Sequence, residues 1–160
     1  MATLTSTITE AVTLNGVERG STNVLSVGSV TQVLHRIATL PANGGSGTSD
    51  TTICNFRTAV TTADSALADE TVKYIRITNL ASTDVMLSLQ LAANGGAAAS
   101  TTATVDVEPG HTFLLSKAVA VAVVDDDGAT ELVSGFQDLE SIVAINDQNA
   151  VAQVEIFIAS

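Results

Sequence analysis

The chain has 160 residues, of which 46% are hydrophobic, and a formal charge of −11 from 17 acidic and 6 basic side chains. This length suits one domain with a genuine core, and the hydrophobic content argues against general disorder. The shortage of Lys and Arg argues against direct binding to nucleic acid or to an anionic membrane, because both need clustered cations.

Composition favours an all-β class. Aromatic residues make up 3% of the chain and Trp is absent, so Val, Ile, Leu and Ala must supply the core. Thr is abundant, and Val, Ile and Thr branch at Cβ, which suits a pleated and half-buried surface.

The first third of the chain has the alternation typical of strands. Ile8, Val12 and Leu14 alternate with small or polar residues, and Asn15-Gly16 follows as a strong hairpin signal. Residues 30–40 are ambiguous between strand and short helix; branched side chains favour a strand. We expect residues 1–10 to form an extended N-terminal arm that contacts an adjacent subunit, with a frayed terminus as the alternative.

Two polar stretches follow. Residues 41–52 are rich in Gly, Ser and Thr and predict a flexible loop, and residues 53–58 a short apolar element. Residues 61–70 predict a second loop or one helical turn.

The middle of the chain has the clearest strands. Residues 72–79 predict one strand, and the next should turn Val85, Leu87, Leu89 and Leu91 to one face. Pro109-Gly110 predicts a tight turn. In total we expect nine to eleven short strands, which form an antiparallel β-sandwich or jelly roll in a single domain over residues 11–160.

One internal echo relates residues 40–45 to residues 91–96, both of which end in Asn-Gly-Gly. It indicates either a duplicated half or two loops with similar turn requirements, and the second interpretation is favoured.

The side chains that could support chemistry do not form a recognisable site. His35 and His111 lack the spacing of metal ligands or of a nucleophile and its base, and we expect both to be structural or solvent-facing. Cys54 is expected to be a small buried hydrophobe. The run Asp125, Asp126 and Asp127 predicts a solvated turn, with a calcium site as the weaker alternative. We therefore predict no catalytic residue, no cofactor and no enzyme activity.

A sugar-binding surface is the next class that a β-sandwich suggests. Such sites present flat aromatic faces, and this chain has only Tyr74 and four Phe residues, mostly in apolar strand contexts. The sequence therefore gives little support to a carbohydrate-binding or hydrolytic sandwich.

Two long segments resemble small β-sandwich structural proteins of tailed bacteriophages, in particular those of marine and cyanobacterial hosts. The first runs from residue 8 to residue 41 and includes Asn15-Gly16. The second runs from residue 72 to residue 115 and includes Glu108-Pro109-Gly110-His111-Thr112-Phe113. The resemblance covers most of the chain and brings no catalytic residues. It implies a virion component.

The expected function is that of a capsid decoration, or cement, subunit that stabilises the outer face of a phage head. Its expected partners are the major capsid protein or neighbouring virion subunits and further copies of itself, with a trimer favoured. A tail or fibre component for host attachment is the alternative. The N-terminus lacks a signal-peptide pattern and no apolar run is long enough to span a bilayer, so we expect the chain to be made and used without secretion. The resemblance implies assembly in the host cytoplasm and residence in the virion.

Overall fold

The computed structural model describes residues 1–45, 47–57, 67–68, 71–91, 101–116, 121–123, 130–132 and 139–160. The chain divides into two compact units, Met1–Gln32 and Val33–Ser160. Each is a β structure with its own strand pairing, and each is described by itself below.

The first unit is one long β-hairpin, which we call the ribbon. Its long strands are β1 (Ala2–Glu10) and β4 (Ser21–Val30), and its end is formed by β2 (Thr13–Leu14) and β3 (Val17–Glu18). The opposed pairs keep one register from Leu4↔Val27 to Leu14↔Val17. The stretch predicted as an extended arm is therefore paired along its length with β4, because the turn at residues 15–16 folds the chain back on itself.

The second unit contains the remaining strands. They are β5 (Val33–Leu40), β6 (Ser49–Arg57), β7 (Leu67–Ala68), β8 (Tyr74–Asn79), β9 (Val85–Leu91), β10 (Thr101–Val107), β11 (Thr112–Ser116), β12 (Val121–Val123), β13 (Thr130–Leu132), β14 (Leu139–Asn146) and β15 (Ala152–Ala159). Sheet I has the order β11-β8-β15-β5, and sheet II the order β10-β9-β14-β6-β7. All pairs in both sheets are antiparallel except β6 with β7, while β12 and β13 pair with each other.

The two sheets pack together as a β-sandwich, which confirms the predicted fold class. Of the fifteen strands found among the described residues, ten have five residues or more. Along the central strands every second side chain enters the core, as the alternation predicts: Val85, Leu87, Leu89 and Leu91 are at most 1% exposed. The opposing sheet contributes a matching aliphatic set: Ile75, Ile77, Val154, Ile156 and Ile158.

Two buried asparagines fix the connections between the sheets. Asn79 ends β8, and Asn146 ends β14; each precedes a loop of five residues that crosses to the opposite sheet. Each side chain accepts a backbone N–H two residues later and donates to the carbonyl four residues later. Each side chain also donates to a backbone carbonyl where an outer strand of the other sheet ends: Asn79 to that of Val107 in β10, and Asn146 to that of Pro41 just after β5. The same set of side-chain hydrogen bonds therefore stabilises both crossings.

This equivalence extends to the whole sandwich, which has an approximate two-fold topology. The series β8, β9, β10, β11 occupies the same relative places as β14, β15, β5, β6. Sheet I thus has β11 and β5 as its outer strands, and sheet II has β6 and β10, respectively, in the corresponding places. This relation differs from the echo of residues 40–45 and 91–96, most of whose second member lies outside the described residues.

The predicted turns are confirmed where the structure describes them. Asn15 and Gly16 both have positive φ, of 53° and 77°, as a two-residue hairpin turn requires. Gly110 has φ 73°, and the His111 amide donates to the Glu108 carbonyl. The predicted loop 41–52 is shorter than expected, because β6 begins at residue 49 and pairs with β14.

Candidate functional site

The end of the ribbon presents an apolar face. Val12 opposes Arg19 through a backbone hydrogen bond of 2.8 Å, and Leu14 opposes Val17. Because directly opposed residues share one side of a hairpin, these four side chains lie on the same face, which we call the tip face. Its three aliphatic members are 49–60% exposed. The tip face is therefore a small hydrophobic surface with one cation beside it.

The acid nearest the tip face is held by the ribbon itself. The Glu18 carboxylate accepts backbone N–H groups from Gly20 at 2.7 Å and Val12 at 3.1 Å, and the Thr13 hydroxyl at 3.3 Å. The hydrogen bond from Gly20, followed by that from Val12, lowers the pKa of this carboxyl from its usual value. Glu18 is consequently an internal clamp, on the face opposite the tip face.

The sandwich has a pocket on the side where β10 and β11 lie at the sheet edges. It has a volume of about 270 Å³ and is lined by Val105, Asp106, Val107, Glu108, His111, Thr112 and Phe113. Val105 and Phe113 are half-buried against the core, whereas Asp106 and Glu108 are exposed. We call this pocket the edge slot: its lining combines apolar side chains with the acidic Asp106 and Glu108 and the polar His111 and Thr112.

The corresponding side of the sandwich, at β5 and β6, is bridged by an arginine. The register between β6 and β14 shifts at Ile53, which leaves that residue as a bulge. The Arg36 guanidinium on sheet I donates to the Ile53 carbonyl on sheet II. In the two-fold topology Ala103 takes the place of Arg36, because they oppose Leu89 and Ile156, which lie ten residues after the equivalent Asn79 and Asn146. An alanine cannot reach across, so the slot stays open.

The outer face of sheet I carries a polar cluster. His35 Nε2 lies 2.8 Å from one Glu155 oxygen, and Arg76 donates to the other at 2.9 Å. The Arg76 guanidinium also stands over the Phe157 ring, 5.7 Å from its centroid, and the His35 ring lies 5.7 Å from it. The Arg76 guanidinium and the His35 ring thus share one carboxylate and one aromatic ring, which is an arrangement that stabilises a sheet surface.

The two histidines do not meet. His35 lies on β5 and His111 directly precedes β11, at opposite edges of sheet I, so three strand spacings, roughly 14 Å, separate them across the sheet alone. His111 Nδ1 lies 3.1 Å from the Pro109 carbonyl oxygen and 3.8 Å from a Glu108 oxygen. Each ring therefore has a local structural partner.

The other sequence candidates have separate outcomes. Cys54 is buried, and burial raises the pKa of its thiol to about 12. Tyr74 is 3% exposed, so it offers no platform for a sugar ring. The candidate calcium ligands Asp125, Asp126 and Asp127 lie outside the described residues. Within the part of the chain that the structure describes, no three His, Cys, Asp or Glu side chains converge as metal ligands.

The tip face and the edge slot were not foreseen from the sequence. The alternation of Val12 and Leu14 is visible there, but it predicts a buried face as readily as an exposed one. The edge slot depends on which strands lie at the sheet edges, which only the folded topology shows. Among the described residues, no helix is long and apolar enough to cross a membrane.

Comparisons with protein-family models, with curated proteins and with solved structures found no match to this chain. The resemblance to phage virion sandwiches stays a prediction from the residues.

Proposed function

We propose that the chain is a structural subunit of a bacteriophage particle, and specifically a decoration subunit on the outer face of the head. The observation that carries the proposal is the ribbon. Residues 1–32 form a unit of their own, and large apolar side chains stand exposed on it, including Ile8, Leu14 and Val24. Two-stranded ribbons are marginally stable alone in water, so such an element is suited to binding another protein surface.

The charge distribution supports an outer position. The chain carries −11 overall, which would repel packaged nucleic acid and favours solubility at high local copy number. In this role the protein acts mechanically, by bridging neighbouring subunits of the shell.

A tail or fibre subunit is the second candidate. The exposed tip face, with Leu14 60% exposed, would serve an attachment surface equally well. A carbohydrate-binding sandwich has less support, because Tyr74 is buried and the Phe157 ring is in contact with the Arg76 guanidinium.

Copy number in purified phage particles tests the proposal. Quantitative mass spectrometry should find the chain at hundreds of copies per particle, in a fixed ratio to the major capsid protein. A dozen copies or fewer would replace decoration with the tail assignment. Absence from particles whose other structural proteins are detected would overturn both.

A further inference from the structure

We propose that the tip face of one copy docks into the edge slot of a second copy, which gives a head-to-tail contact between subunits. The inference rests on the proposed structural role and names the contact through which the copies assemble. Tip face and edge slot are different surfaces, so the contact is heterologous and each copy has one of each to offer.

The apolar parts of the two surfaces match. Leu14 and Val17 are 60% and 49% exposed at the end of the ribbon. The edge slot exposes Val105 and Phe113 beside the core, in a pocket of about 270 Å³. Aliphatic side chains that enter this volume would release the water it holds.

The charges on the two surfaces are complementary. Arg19 lies on the tip face, and Asp106 and Glu108 lie exposed on the rim of the slot. Glu18, the only acid at the end of the ribbon, is turned to the opposite face and held by its own backbone. Glu10 lies on the same face as Arg19, and its carboxylate accepts the Ser21 hydroxyl. An arginine brought to two further carboxylates meets added attraction.

Charge also identifies a second copy as an acceptable partner despite the strong overall repulsion. The ribbon contains two acids, Glu10 and Glu18, and one base, Arg19, so its net charge is −1. The remaining net charge of −10 lies on residues 33–160. The nearly neutral ribbon is thus the part of one copy that can approach the acidic sandwich of another at little electrostatic cost.

A heterologous contact of this kind has two geometric outcomes. It closes into a ring when the rotation per subunit divides a full turn, and it grows into a chain otherwise. A ring of three copies would be the trimer that the sequence predicts for a subunit seated on a symmetry axis.

The test separates tip from slot. One variant, Leu14→Asp, disables the tip face, and a second, Asp106→Lys with Glu108→Lys, disables the slot. All three sites are exposed, so the fold should persist. The matched controls are Thr9→Asp for the ribbon and Glu140→Lys with Asp147→Lys for the sandwich.

Sedimentation velocity over a concentration series should show the wild-type chain associating, with each disabling variant weakened at least tenfold and both controls unchanged. An equimolar mixture of the two disabled variants should form heterodimers and nothing larger in native mass spectrometry, because only one intact tip–slot pair remains. Arg19→Glu should weaken association, and combining it with the two lysine substitutions should restore it.

Three results would overturn the inference: a wild-type chain that stays monomeric, a Leu14→Asp variant that associates normally, or a mixture that stays monomeric. A monomeric chain found at high copy number on particles would reject the docking contact and leave the structural role standing. A chain that assembles through tip and slot and is absent from particles would do the reverse.

Discussion

Replacing Asn146 by alanine tests the polar connections that hold the sandwich together. The side chain is fully buried and makes three hydrogen bonds: to the Pro41 carbonyl at 2.8 Å, to the Ala150 carbonyl at 2.8 Å and from the Gln148 amide at 3.1 Å. At about 1 kcal/mol for each hydrogen bond, their loss amounts to about 3 kcal/mol. Water can reach the part-buried carbonyls, which reduces the expected loss to about 2–3 kcal/mol.

Urea unfolding followed by far-UV circular dichroism measures this loss. The urea m-value should not change. In thermal unfolding, a unit of this size should lose about 3 °C in Tm for each kcal/mol of lost stability. Asn149→Ala is the matched control, because Asn149 lies in the same loop and is exposed. Asn79→Ala should cost as much as Asn146→Ala, since the two side chains make the same pattern of bonds.

Asn146→Asp separates hydrogen bonding from packing. It keeps the shape and the acceptor for Gln148, but it loses both donated bonds and places a carboxylate in a buried position, so at pH 7 it should destabilise at least as strongly as alanine. The reasoning fails if Asn146→Ala loses less than about 0.5 kcal/mol, the usual range of surface substitutions, or no more than Asn149→Ala loses.

Three further predictions concern the ribbon and the core. Gly20→Ala should disrupt the pairing where β1 ends and β4 begins, because an added Cβ would lie 2.0 Å from the Glu10 carbonyl oxygen. Loss of the cross-strand NOEs between β1 and β4 would reveal this disruption, and an unchanged NOE pattern would argue against the close approach. The Glu18 clamp stabilises the ribbon above the unfolded pKa of a glutamate and is lost as pH falls through the lowered folded pKa, so the Gly20 amide resonance should titrate with a midpoint below pH 4.5 and not titrate in Glu18→Gln. Cys54 should resist Ellman's reagent at pH 8 until the protein unfolds, and one thiol titrated within minutes in the native protein would contradict this. The contribution of the buried thiol to stability should be complete below about pH 8.5, the usual thiol pKa, and should fall as the pH rises towards 12.

The elements that sequence reasoning predicted well are those set by local chemistry. Asn15-Gly16 specifies its turn because both residues tolerate positive φ, and Pro109-Gly110 does so through one fixed and one permissive residue. The alternation from Val85 to Leu91 likewise predicts which side chains enter the core. Each of these signals lies within ten residues of sequence, so no knowledge of distant contacts is needed.

Distant pairing accounts for what the sequence did not reveal. The alternation at Ile8 and Leu14 predicted strands, but it could not show that residues 1–32 form a separate ribbon. The bulge at Ile53 arises from the register with β14, and its carbonyl is satisfied by Arg36, seventeen residues earlier on the other sheet. Neither feature has a local signature.

The contrast between the two sides of the sandwich follows from a single difference in side-chain reach. Arg36 spans from one sheet to the other, whereas the equivalent Ala103 ends at its Cβ. Since nothing from position 103 covers the gap, Val105 and Phe113 remain half-exposed at this edge of the core. Leaving such side chains in water forfeits part of their hydrophobic stabilisation in the isolated chain. A second protein surface that covered them would recover it, so association at the open side would be favourable.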